Sequence, residues 1–114
     1  MAARRIAAGA MVFQIKADFL KSLAHPARLA VIERLKTGEA PVGRMVRELG
    51  IEQSSLSKHL AMLREAGILR ARQEKLNVYY SIKDHDVFRV LRPITEILRK
   101  KLRESARQLR GLGR

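Results

Sequence analysis

Residues 53–69, QSSLSKHLAMLREAGIL, carry two patterns at once. Wound into a helix at about 100° per residue, Leu56, Leu60 and Leu63 fall in one narrow sector with Gly67 close by. Ser54, Lys58, Ala61 and Glu65 lie opposite, flanked by Ser55 and Ser57. The leucine side predicts a face packed on the domain's own core. The other side is short-chained and polar over its first two turns, a surface that can enter a major groove without steric obstruction. Gln53, Ser54, Ser55 and Ser57 can hydrogen-bond to base edges or phosphates, and Lys58 can reach a guanine or a phosphate. His59 lies between the two faces and reads equally as a packing histidine or as a DNA contact. The serines also have a purely local reading, because Ser54 or Ser55 can cap the helix.

The flanking segments favour recognition. Upstream, VGRMVRELG (residues 42–50) sets Val42, Met45, Val46 and Leu49 at i, i+3, i+4 and i+7, an apolar stripe on a two-turn helix. Gly50 can take the left-handed conformation that stops a helix, and Ile51 re-enters the core. A short helix, a glycine turn and a second helix with a polar front is the layout of a helix-turn-helix. Downstream, Gly67 closes the second helix. ILRAR (68–72) and VYYSI (78–82), joined by the polar QEKLN (73–77), then read as two strands. In the second, Val78, Tyr80 and Ile82 share one face and Tyr79 and Ser81 the other. A two-stranded hairpin directly after a helix-turn-helix is a wing, and it supplies Arg70, Arg72, Lys75 and Asn77. Long cations at a hairpin tip suit phosphates or a narrow minor groove; the competing reading is a solvated hairpin charged against aggregation. At least one of Arg72 and Lys75 is expected to touch DNA.

The ends of the chain frame this unit. Residues 1–12 read as a basic arm, residues 13–110 as the domain and residues 111–114 as a disordered tail. FQIKADFLKSL (13–23) spaces Phe13, Ala17 and Leu20 as a helix, and Pro26 suits the first turn of the next one. That helix places Leu29, Ile32 and Leu35 on one face and ends at Thr37-Gly38. Beyond the wing, Asp84 is a good cap, and Pro93 either kinks the last helix or restarts it. From there Leu91, Ile94, Leu98, Leu102, Ser105, Leu109 and Leu112 alternate threes and fours among arginines and lysines. So narrow a seam suits pairing with another helix, whether in a second subunit or in its own domain.

Composition narrows the function. The 114 residues form one domain, and 24 Lys and Arg against 11 Asp and Glu give a net charge of +13. Such a field attracts polyanions, nucleic acid first and anionic membrane second. There are no cysteines, which excludes disulfides, zinc–cysteine sites and thiol switches. The apolar run near the start is interrupted by Gln14, Lys16 and Asp18, well short of the roughly 20 residues a membrane span needs. A cytoplasmic protein with no membrane partner is expected. With three scattered histidines, no phosphate-binding glycine loop and no nucleophile–base pair, it is not expected to be an enzyme.

LKSLAHPARLAVIERL (20–35), QSSLSKHLAMLREAGILRAR (53–72) and NVYYSIKD (77–84) resemble the ArsR/SmtB family of bacterial winged-helix repressors. The resemblance covers about residues 13 to 100. It implies a mainly α winged helix-turn-helix with a small β-hairpin, dimerising through its N- and C-terminal helices, with Phe13, Leu20, Leu91, Ile94, Leu98, Leu102 and Leu109 at the interface. Two recognition helices would then enter successive major grooves of an imperfect palindrome in double-stranded DNA and repress transcription until an effector intervenes.

The family's metal sites are poorly matched. PVGRMVREL (41–49) lacks the cysteines of one site, and Met45 is already explained by the apolar stripe. A second family site resembles Asp-x-His followed ten residues later by His-x-x-Glu or His. Here Asp84-His85-Asp86 keeps the first half with oxygen ligands, whereas Ile97 and Lys100 replace the second. A tight tetrahedral zinc site needs about four ligands, so these positions cannot form one. Asp84 and Asp86 equally serve as favourable charges at a helix N-terminus. A weakly held Ni²⁺ or Zn²⁺ at Asp84, His85 and Asp86, with ligands from elsewhere, is the one cofactor the residues leave open. His25 reads as a junction residue. The effector is otherwise something else, a separate co-regulator protein, or none. The functional alternatives to a sequence-specific regulator are a nonspecific architectural nucleic-acid-binding protein and a winged-helix protein-interaction module.

Overall fold

The computed structural model describes residues 2–112, in two compact units divided between Lys83 and Asp84. The first unit contains α1 (Ala2–Leu23), α2 (Pro26–Leu35), β1 (Ala40–Pro41), α3 (Val42–Leu49), α4 (Gln53–Glu65), β2 (Leu69–Glu74) and β3 (Asn77–Ile82). The second contains α5 (Val87–Leu112).

Local chemistry sets the helix ends. Pro26 occupies the first turn of α2, and His25 before it is extended, its Nδ1 accepting the N–H of Ala27 at 3.0 Å. The junction reading of His25 thus takes the form of an N-cap. Gly50 ends α3 with φ 66°, ψ 29°, the left-handed conformation that costs glycine nothing. After α4, Gly67 has φ 78°, its N–H bonds to Arg64 O, and Ile68 N–H reaches back to Leu63 O. This is a Schellman motif, in which Leu63 and Ile68 are also both buried.

The core of the first unit joins Val31, Ile32 and Leu35 of α2, Met45 of α3, Leu56, Leu60 and Leu63 of α4, and Ile68, Leu69 and Ile82 around the sheet. Fully burying each large aliphatic side chain contributes about 1.5–3 kcal/mol, so α4 is held chiefly by its three leucines. An ion pair between Arg34 of α2 and Glu48 of α3 spans the neighbouring helices.

Several expectations are revised. The helical backbone begins at Ala2, so the stretch expected to be an arm continues α1, and Met1 lies outside the described residues. On α2, Leu29 is exposed and Val31 takes its place in the core. On α3, Met45 is buried while Val42, Val46 and Leu49 are half-buried. The wing is a three-stranded antiparallel sheet in the order β1-β3-β2 rather than a plain hairpin. Its turn is two residues long, since Glu74 pairs with Asn77 and leaves only Lys75 and Leu76 between.

In the second unit Asp84 does not cap α5 directly. Its Oδ1 accepts the N–H of Asp86 at 2.9 Å, and the helix starts at Val87. Pro93 lies inside α5, which runs on through it to Leu112. Of the expected tail, Gly111 and Leu112 are helical, and residues 113–114 lie outside the described residues. Among the described residues no helix is long and apolar enough to cross a membrane.

Candidate nucleic-acid interface

The buried leucines of α4 fix which side of the helix is free. Gln53, Ser54, Ser57 and Lys58 are exposed and Ser55 is half-buried. The N-cap is Glu52, not a serine: α4 begins at Gln53, which places Ser54 and Ser55 inside the first turn. Ser54 Oγ donates to Glu52 Oε1 at 2.7 Å instead of accepting from the backbone. Among the described residues no side chain caps α4, so its first turn and the positive end of its dipole stay open to an outside acceptor.

His59 belongs to the packed side. Its ring centroid is 4.3 Å from that of His25, and Arg28 Nη1 lies 3.2 Å from its Nδ1. Burial, with smaller contributions from His25 and Arg28, pushes the imidazole below the ordinary histidine range. The expected DNA contact at His59 is therefore corrected: its ring is taken up by residues of α2 and the turn before it.

A groove of about 390 Å³ runs between the starts of α3 and α4 and the wing, lined in part by Val42, Gly43, Gln53, Ser57, Asn77 and Tyr80. It brings Gln53 and Ser57 beside Asn77, a juxtaposition of residues too distant in sequence to be read from spacing. Because Tyr80 and Val78 line this groove, the alternation along β3 turns Tyr79 and Ser81 to the other face of the sheet. Arg72 pairs with Tyr79 and Arg70 with Ser81 in the strand register, so both arginines share that other face. Lys75 is exposed at the tip with φ 56°, and the neighbouring Leu76 is 97% exposed. Neither Gly nor Asn marks this turn, and a non-glycine residue at positive φ is a strained choice.

Arg72 is not a free cation. Its Nε donates to Glu39 at 3.0 Å and its Nη1 to Glu74 at 2.7 Å, while Nη2 also donates to Glu39. The guanidinium hydrogen bond holds the Glu39 carboxyl below the usual range. Glu39 was not among the residues singled out in the sequence. The one local sign of this cluster is Arg72 and Glu74 two apart on a strand, hence on one face.

The other expected sites lie elsewhere. Phe13 and Leu20 on α1 are exposed, as are Ile94, Leu98, Leu102 and Leu109 on α5, the last two 70% and 69%; Leu91 is half-buried. Asp84, His85 and Asp86 do not converge on a common point. The Asp84 carboxylate holds a backbone N–H, Asp86 faces Arg89 at 3.7 Å, and the His85 ring lies 6.2 Å from that of Phe88. Among the described residues no three His, Cys, Asp or Glu side chains form a group that could hold a metal ion. These residues do not fit the family's metal site.

A family model described as a helix-turn-helix domain matches residues 23–72. An uncharacterised HTH-type transcriptional regulator of Mycobacterium tuberculosis, Rv0081, is 34% identical over 102 residues, covering 89% of this chain and 90% of that protein. Its crystal structure superposes with a TM-score of 0.75 over 83% of this chain and 96% of the other. A biofilm growth-associated repressor of Agrobacterium fabrum is 40% identical over 81 residues, 71% of this chain and 69% of that protein. A homodimeric winged helix-turn-helix DNA-binding domain from Mycobacterium bovis, a possible ArsR-family regulator, is 27% identical with a TM-score of 0.72, covering 84% and 89% of the two chains. Fold and interface together define a winged helix-turn-helix protein. The chain belongs to the ArsR/SmtB family and is a DNA-binding transcriptional regulator.

Proposed function

We propose that the protein acts as a homodimeric repressor that binds an imperfect palindrome through α4. The observation that carries this reading is the division of α4 into a buried leucine face and an exposed, uncapped polar front. Gln53 and Ser57, beside the wing, read base edges; Ser54, Ser55 and Lys58 contact bases or the backbone of the same groove. Lys75 at the wing tip meets phosphates or the adjacent minor groove, and Arg70 adds to the positive field. Pairing of two chains through the apolar positions of α1 and α5 agrees with the homodimeric M. bovis domain and matches a two-fold-symmetric site. Repression follows the Agrobacterium relative. DNA binding in this reading proceeds without Ni²⁺ or Zn²⁺, and release depends on another effector or on a separate co-regulator protein. The protein works in the cytoplasm, where its DNA is.

The test is selection of bound fragments from sheared genomic DNA by the purified protein at near-physiological salt, with and without added Ni²⁺ or Zn²⁺. The expected result is a few sites sharing an inverted repeat, recovered equally with and without metal. Fragments with no shared sequence would instead mark an architectural protein, because both kinds bind phosphate and only the specific-to-nonspecific ratio separates them.

A further inference from the structure

Arg72 makes contacts on all sides of its guanidinium. Nε and Nη2 form a fork on Glu39, Nη1 holds Glu74, and the guanidinium carbon stands 4.5 Å from the centroid of the Tyr79 ring. These partners come from different parts of the sheet. Glu39 immediately precedes β1, Tyr79 is on the central strand β3, and Arg72 is on β2. Pro41 and Arg72 pair with Tyr79 from opposite sides. The arginine therefore crosses the middle strand along the Tyr79 ring and ties one edge of the sheet to the other. Pro41 is also the N-cap of α3, so this tie reaches the start of the helix-turn-helix itself.

We propose that Arg72 is a positioning residue: it braces the wing against the entry to α3 and makes no phosphate contact of its own. Electrostatics supports this. Two carboxylates against one guanidinium leave the cluster net negative, which repels a nearby phosphate. Geometry agrees, since Arg72 lies on the sheet face opposite the groove that holds Gln53 and Ser57. The planar fork matters to the brace: a lysine keeps the charge but cannot hold Glu39 with two parallel bonds while reaching Glu74. Bracing fixes the angle at which Lys75 reaches DNA.

The inference rests on the wing meeting DNA, as proposed above. It is tested by titrating a labelled genomic fragment recovered in the selection against wild type, Lys75→Ala, Arg72→Lys and Glu39→Gln over a range of salt. Lys75→Ala is expected to weaken binding and to lower the salt slope by about one. Arg72→Lys and Glu39→Gln are each expected to weaken binding roughly two- to fivefold with the slope unchanged. The Glu39→Gln result is the sharper one, because that change makes the protein more cationic and would by charge alone tighten binding. If Lys75→Ala weakens binding while Glu39→Gln tightens it or has no effect, the brace is wrong and the wing contact stands. If all three variants bind like wild type, the wing does not meet DNA and both readings fall. A fourth variant, Arg72→Gln, overturns the brace if it lowers the slope by about one, the mark of a phosphate contact.

Discussion

Lys58 and His59 are adjacent in sequence and have opposite surroundings. Lys58 projects from the exposed front of α4, and Lys58→Ala is expected to lower affinity for the selected site and reduce its salt slope by about one, with thermal unfolding unchanged. His59 faces Arg28, whose guanidinium can only donate, so Nδ1 must offer a lone pair. Its lowered pKa means that the unfolded chain takes up this proton at higher pH than the folded one. The stability contributed by the neutral ring is present above the ordinary histidine value of about 6.5 and is lost as pH falls through the folded value. Melting temperatures at about pH 7.5 and about pH 5 should therefore fall further in wild type than in His59→Gln; equal falls would contradict the assignment. Lys58 was legible from the helical wheel alone. His59 was not, because its Arg28 contact spans 31 residues, and the partner of Arg72 lies 33 away. Side-chain periodicity says which way a residue faces, not what stands opposite.

At the scale of elements, α4 was legible from end to end. Its leucine spacing, Gly50 before it and Gly67 after it each impose a local requirement that few other residues meet. Leu60→Ala is expected to destabilise the domain by about 2–5 kcal/mol, read as a shift in the denaturation midpoint. A shift under about 1 kcal/mol would mean that the leucine face is not the packed one. Strand β1 was not legible: Ala40 and Pro41 are a strand only because Tyr80 and Tyr79 stand opposite them. The wing turn was placed too broadly for a related reason. Lys75 and Leu76 carry none of the residues that favour positive φ, and strand pairing overrides their preference.

At the scale of the molecule, the seam on α5 is a statement about assembly. At about 100° per residue, Leu91, Ile94, Leu98, Leu102, Ser105, Leu109 and Leu112 stay within a sector of about 80°. Exposed leucines in such a line are costly in a monomer and are the usual substance of a helix–helix interface. Leu98→Glu or Leu102→Glu should convert dimers to monomers in sedimentation equilibrium, and dimers persisting in both would remove the seam from the interface. The same substitutions should lower DNA affinity while α4 itself is intact, since a monomer engages one half-site where a dimer engages two.

The most direct measurement is a hydroxyl-radical footprint of the protein on a genomic fragment recovered by selection. A dimer reading DNA through α4 predicts two protected patches related by the symmetry of an inverted repeat, spaced by about 10 base pairs or a multiple of that, and both lost in Lys58→Ala. Diffuse protection along the fragment, or two patches untouched by the loss of Lys58, would contradict it.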